Sequence, residues 1–360
     1  MGWRRMVLAL GLIGLTAQAA CSTRPAEERA ERDLEVGHAE ARGLRVDVDH
    51  GLAAVLSIGE ADAEGTLHLW SSAPVQRFTL RRSDSAPATW RLTLSNVMRE
   101  SKLSVVEGEA TLTELPGHHP TQQVYEVAFT TPEVRFELMA PEARQRGPFS
   151  FALLSDVQEA IDRVQDIFGR INQEPVSFML GAGDLTNQGS DEELTRYKHE
   201  LEKLEVPYYT TLGNHELGQS PTLWHDYFGR ASFHFNFRGA AFSLLDSGSA
   251  TIDPMVYGWL REHESDVHVV AMHIPPLDPI GVRNGAFSSR NEAAKLLGRL
   301  ARGHVDLTLY GHIHSYYDFE NGGIPAYISG GGGAIPERFD HIGRHFLVID
   351  IGPDTGVAHV

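Results

Sequence analysis

Five short segments between residues 156 and 314 put Asp, Asn, Gln or His beside a Gly- or Pro-marked turn. They read Asp156-Val157-Gln158, Gly183-Asp184, Gly213-Asn214-His215-Glu216, His273 in Met272-His273-Ile274-Pro275-Pro276, and Gly311-His312-Ile313-His314. Carboxylate, amide and imidazole groups offer lone pairs, and a set of them delivered to one place makes a metal site. Four segments follow a short apolar run: Phe151-Ala152-Leu153-Leu154, Phe178-Met179-Leu180, Val269-Val270-Ala271-Met272 and Leu307-Thr308-Leu309-Tyr310. The fifth follows Tyr208-Tyr209-Thr210-Thr211-Leu212. Runs of this kind are buried strands, so the ligand-type residues stand where strands end. In open α/β sheets that edge is where ligands bind.

The elements around the segments agree. Ile161, Val164, Ile167 and Ile171 mark one helix face, Leu194, Tyr197, Leu201 and Leu204 a second, and Ala293, Leu296, Leu297 and Leu300 a third. Strand-like runs alternate with these helices, which predicts an α/β domain over residues 149–352, closed by a strand at His345–Ile351. Residues 44–145 have a different texture. Alternating stretches such as Thr66-Leu67-His68-Leu69-Trp70 and Val124-Tyr125-Glu126-Val127-Ala128-Phe129 recur between turn residues, with no helix-period segment. That pattern predicts an antiparallel β-sandwich. Residues 22–43 are charged and Ala-rich without a sustained apolar face, and read as a tether, in part helical or not, that holds a folded domain off a membrane.

The leader and the charge narrow the setting. Arg4-Arg5 followed by the apolar stretch Met6–Ala17 is an export signal over residues 1–21. Ala17-Gln18-Ala19 suits ordinary cleavage, whereas Ala19-Ala20-Cys21-Ser22 resembles a bacterial lipobox with Cys21 as the lipidated residue. Cys21 is the only cysteine of the chain, so no internal disulfide forms. The expected location is the cell envelope, with a lipid anchor in the membrane. A formal charge of −17 argues against nucleic acid as a partner, because phosphates are neutralised by surplus Lys and Arg. A phosphate-handling site on such a chain needs positive charge of its own, and metal ions supply it.

All five segments, in this order and with these gaps, resemble the calcineurin-like metallophosphoesterase family over residues 149–351. Leu244-Leu245-Asp246-Ser247, Gly258-Trp259-Leu260 and the Gly330–Gly333 run extend the likeness. The resemblance implies a four-layer α/β/β/α sandwich, here preceded by a small all-β domain of fibronectin type III-like kind. It implies two divalent or trivalent ions (Mn, Fe, Mg or Zn) bridged by Asp184. Asp156 and His314 would complete one position, and Asn214, His273 and His312 the other. Consecutive side chains on an extended segment diverge while i and i+2 align, so His312 and His314 need a turn between them to serve different ions; Gly311 is its expected source. A small phosphoric mono- or diester would be hydrolysed by a metal-bridging hydroxide, with His215 donating a proton to the leaving oxygen.

Gln158 departs from the family pattern, which has a His ligand at that place. An amide oxygen is a weaker ligand for transition metals, so the first position leans towards Mn, Fe or Mg. The alternative is a degenerate metal-binding or envelope-interaction protein that keeps the fold without the reaction. Purple acid phosphatases place a ligand Tyr three residues after the bridging Asp; here Asn187 stands there. Asn187 and Arg283 are the candidate substrate contacts. Glu216 is a candidate for orienting His215, and His225 and His234 for replacing the missing imidazole.

Overall fold

The computed structural model describes residues 26–61, 64–218, 220–260, 263, 265–281, 285–338, 340–352 and 356–359. Cys21, the leader and Arg283 lie outside the described residues. Among those described, no helix is long and apolar enough to cross a membrane.

Ten strands between His38 and Met139 form two five-stranded sheets. Pairing is antiparallel throughout except between Glu64–Ser71 and Thr89–Ser95, which run parallel. Period-2 burial, as in Glu64–Ser71, turns Leu67 and Leu69 inward with Phe78, Trp90, Leu92 and Phe136 to fill the space between the sheets. This region is an all-β domain.

The second region stacks two more sheets face to face. One runs Tyr208–Thr211, Val176–Ala182, Phe149–Leu154, Leu347–Gly352, Gly356–His359. The other runs Phe233–Phe237, Ala240–Leu245, Val267–Met272, Leu307–Tyr310, Ile324–Ser329, Tyr316–Asn321. Between them lies a phenylalanine-rich core in which the Phe178 ring contacts Phe149, Phe151, Phe235, Phe237, Phe242 and Tyr209. Helices Gln165–Ile171 and Asp191–Glu200 cover the outer face of the first sheet, and Arg290–Arg302 that of the second. This is the α/β/β/α arrangement that the family resemblance implies.

Strands Phe149–Leu154, Val176–Ala182 and Tyr208–Thr211 are mutually parallel, as are Ala240–Leu245, Val267–Met272 and Leu307–Tyr310. Their carboxyl ends therefore deliver all five polar segments to one edge. Asn96 joins the two regions: its side chain donates to Ser71 O and Tyr208 O and accepts from Tyr208 N, completing the pairing of an otherwise open strand end.

The stretch expected to be a tether is folded from Glu27 onward. Glu27–Glu35 is a helix, and His38–Ala41 pairs with Leu44–Val48. The helix buries Arg29 and Asp33 against the α/β region. Charged residues on a helix read as solvated unless partners are in view, and these partners lie about two hundred residues away.

Candidate metal centre

Four of the polar residues at this edge hold left-handed backbone: Asp156 (φ 62°), Gln158 (φ 46°), Asp184 (φ 54°) and His312 (φ 70°). Non-glycine residues rarely adopt this region, and where they do the surrounding structure must enforce it. Here the enforcement is a mesh of backbone bonds. Asp156 N donates to Gly183 O, Val157 N and Gln158 N donate to Asp184 O, and Ala334 N donates to Asp156 O. The turn between His312 and His314 comes from His312 itself. Gly311 supplies room instead, since a side-chain carbon there would collide with Ser155 and Asp156.

The side chains converge on Asp184, which is buried along with Asp156. Gln158 Nε2 donates to Asp184 Oδ2 at 3.0 Å and lies 3.2 Å from His314 Nε2. His314 Nε2 is 3.5 Å from Asp156 Oδ1. His273 Nε2 approaches the same oxygen, 3.2 Å from Oδ2, and stands 3.1 Å from Asn214 Oδ1. One ligand atom each from Asp184, His273 and His312 falls within 4.8 Å of the others. The carboxylate of Asp184 thus stands between two groups: Asp156, Gln158 and His314, and Asn214, His273 and His312.

Two of the three imidazoles, those of His273 and His314, are fixed from behind. His273 Nδ1 donates to Ala182 O at 2.7 Å, and His314 Nδ1 to Ile335 O at 2.7 Å, so the Nε2 atoms face inward. Burial by itself would raise the Asp184 carboxyl, but the His273 charge and the His215 backbone N–H outweigh it and hold it at about 2. Burial likewise works against the His273 imidazolium, yet Asp184 raises it to about 9. Burial, helped by the His273 charge, lowers His312 to about 4. Oxygen and imidazole donors gathered around one buried carboxylate, with inward nitrogens preset, fit two divalent cations.

Glu216 has a different task from the one considered for it. It is buried, and its carboxylate accepts from Asp184 N (2.9 Å), Gly213 N (2.7 Å), Thr186 N (2.9 Å) and Thr186 Oγ1 (2.9 Å). It pins the two loops that carry Asp184 and Asn214, and the ring of His215 is held elsewhere, by Nδ1–H to Asn187 O at 2.6 Å. That leaves His215 Nε2 3.8 Å from Asp184 Oδ2, on a side chain about one-third exposed. Asn187 is exposed and lines, with Gln188, Asn214, His215 and Gly218, an open cavity of about 390 Å³.

Other candidates fall away from the centre. His225 bonds Asp33 and Thr222 O, and His234 bonds Ser243. His234 also stacks on His263 at 3.8 Å and 8°, and with His268, at the start of strand Val267–Met272, these two rings form a separate imidazole group away from this edge. The Gly330–Gly333 run packs behind the ligands, with Gly332 N donating to Ser155 O, and its glycines permit that close approach.

The family model of calcineurin-like phosphoesterases matches residues 149–316. This region is a calcineurin-like phosphoesterase domain. Its family comprises metal-dependent phosphoester hydrolases that use dinuclear centres, and the chain is a phosphoester hydrolase on that ground. No curated protein matches the sequence. Among solved structures, a purple acid phosphatase from yellow lupin (Lupinus luteus) seeds is similar at a TM-score of 0.50, with 11% identity over 79% of this chain and 71% of that one. A dimetal phosphatase from Danio rerio is similar at 0.43, with 15% identity over 59% of this chain and 96% of that one. The likeness to the lupin structure is one of fold, over the phosphoesterase domain and its β-rich neighbour.

Proposed function

We propose that this chain hydrolyses small phosphoric mono- or diesters at a two-cation centre, outside the cytoplasmic membrane. Asp156, Gln158 and His314 would hold one cation, Asn214, His273 and His312 the other, and Asp184 would serve both. When bound, such cations neutralise phosphoryl oxygens and activate water. The observation that carries this reading is Asp184, a single buried carboxylate whose Oδ2 is met by Gln158 of one donor group and His273 of the other.

The protein's own groups do the rest. His215, with Nδ1–H committed to Asn187 O, presents Nε2 towards the open cavity, where as imidazolium it holds a proton for the leaving oxygen. Asn187 at the cavity lip is placed to contact the ester. Gln158 favours the catalytic reading over the degenerate one, because its amide stays in the centre; turning the amide plane by 180° would present oxygen in place of N–H. The all-β domain, read as fibronectin type III-like, packs on the phosphoesterase domain, and Cys21 would carry the lipid anchor.

The test uses residues 22–360, which retain every described element. Supplied with Mn, the protein should turn over aryl phosphate mono- or diesters, and His215→Ala combined with Asp184→Asn should abolish it. Wild-type turnover no greater than that double variant's would refute the assignment. Mass spectrometry of the mature N-terminus tests the anchor: an unmodified residue 20 or 22 at that end would exclude lipidation of Cys21.

A further inference from the structure

The helix Glu27–Glu35 ends in a closed circuit of buried polar groups on the phosphoesterase domain. Arg29 and Asp33, four residues apart, lie on one helical face. Arg29 Nε donates to Asp246 Oδ2 at 2.6 Å, and its Nη2 donates to Asp246 Oδ1 at 3.1 Å and Ser249 Oγ at 3.0 Å. Asp33 accepts from Ala231 N at 2.7 Å, Ser232 N at 3.0 Å and His225 Nε2 at 3.0 Å. Ser232 Oγ in turn accepts from Asp246 N at 2.9 Å, which closes the circuit.

The loop held by Arg29 touches two of the ligand-bearing loops. Ser247 Oγ accepts from Ile274 N at 2.7 Å, one residue beyond His273. Gly248 N donates to Asp246 Oδ1 at 2.9 Å, and Gly248 packs so closely on Gly213 that a side-chain carbon there would lie 2.9 Å from its carbonyl oxygen. Gly213 precedes Asn214. The opposite ligand group is braced differently: Asp156 by Ser155 Oγ and Ala334 N, and His314 by Ile335 O.

We propose that the N-terminal helix is a brace for one half of the centre, with Arg29 acting through Asp246 as a positioning residue for Asn214 and His273. The proposal rests on the two-cation reading above. A bidentate guanidinium pair suits the task, because it fixes the angle of the Asp246 loop as well as its distance. Removing a partner hydrogen-bonded directly to a ligand typically changes metal affinity by about 10–100-fold, so a brace further back should act near the lower end of that range.

The experiment is a Mn titration of metal-stripped full chain by calorimetry, with amide hydrogen exchange measured alongside. Arg29→Ala should weaken one of two binding steps by about tenfold or more and leave the other in place. Arg29→Lys, which keeps the charge without the two-pronged bond, should fall between. Exchange should quicken at residues 212–216 and hold at 154–158. Equal weakening of both steps, or of neither, overturns the brace. A wild-type chain with a single step would overturn the two-cation reading instead, and the exchange comparison would then decide the brace alone: unchanged rates at 212–216 refute it. If Arg29→Ala does not fold, the Lys variant carries the same comparison.

Discussion

Replacing Glu216 by Gln tests how the centre is held in place. The carboxylate accepts from four donors, two at each oxygen: Thr186 N and Oγ1 at Oε1, Asp184 N and Gly213 N at Oε2. Gln keeps the shape and one acceptor. Its NH₂ must face one of the two donor pairs, and the Thr186 hydroxyl can turn to accept whereas two backbone N–H groups cannot. With the hydroxyl turned, the Thr186 N–H alone is left without an acceptor, and a buried donor in that state costs about 1–3 kcal/mol. Part of this is offset. Burial and then the Asp184 charge raise the Glu216 carboxyl, so a neutral amide relieves some desolvation and repulsion. The expected net loss is about 1–2 kcal/mol, read by urea unfolding of metal-free protein with an unchanged denaturant slope. Both metal steps should weaken as well, because Asp184 and Asn214 are each pinned by this residue. A Glu216→Gln protein within about 0.5 kcal/mol of the parent, with an unaltered Mn titration, would show that the four bonds do not carry the loops.

Three further outcomes follow from the same geometry. Gln158→His should tighten the first metal step and shift preference towards Zn, since imidazole replaces an amide already 3.0 Å from Asp184; an unchanged titration would mean residue 158 does not face the ion. His215→Ala should lower kcat by about 10²–10⁴-fold while both cations still bind, as counted by elemental analysis; an unchanged kcat removes the proton-donor role. In metal-free protein the folded pKa of His273 is raised to about 9, so the stability it contributes is full below 6.5 and is lost as pH climbs through 9. That loss is on the order of 3 kcal/mol at most, shared with Asp184 rather than added to it. Metal displaces the same proton, so apparent affinity should rise by up to about tenfold per pH unit across that window; a flat pH profile of Mn binding would contradict it.

The polar edge is legible from the sequence because four of the five ligand segments follow a run that is apolar enough to be buried on both faces. Phe151–Leu154 and Val269–Met272 have no solvated side, so the first polar residue after them marks a strand end. What is not legible is support delivered from a distance. Arg29 and Asp33 sit in a stretch whose local pattern is that of a solvated helix, and nothing near them in sequence reveals Asp246 or Ser232. Glu216 is hidden for a related reason: a Glu after a turn looks like surface until four N–H and O–H donors are seen around it.

The backbone of the centre shows why local preference fails there. Asp156, Asp184 and His312 occupy a region where glycine is the least strained choice, yet glycine has no ligand atom to give. Aspartate and histidine tolerate left-handed backbone better than most residues, whereas Gln158 has no such tolerance. These conformations persist because the loops are bound to one another: Val157 and Gln158 through Asp184 O, and His312 N through the Asp156 carboxylate. The bond that strains one segment is made by the ligand of another. A centre built this way is preorganised by mutual constraint, so loosening either loop should release strain in its partner as well as move a ligand.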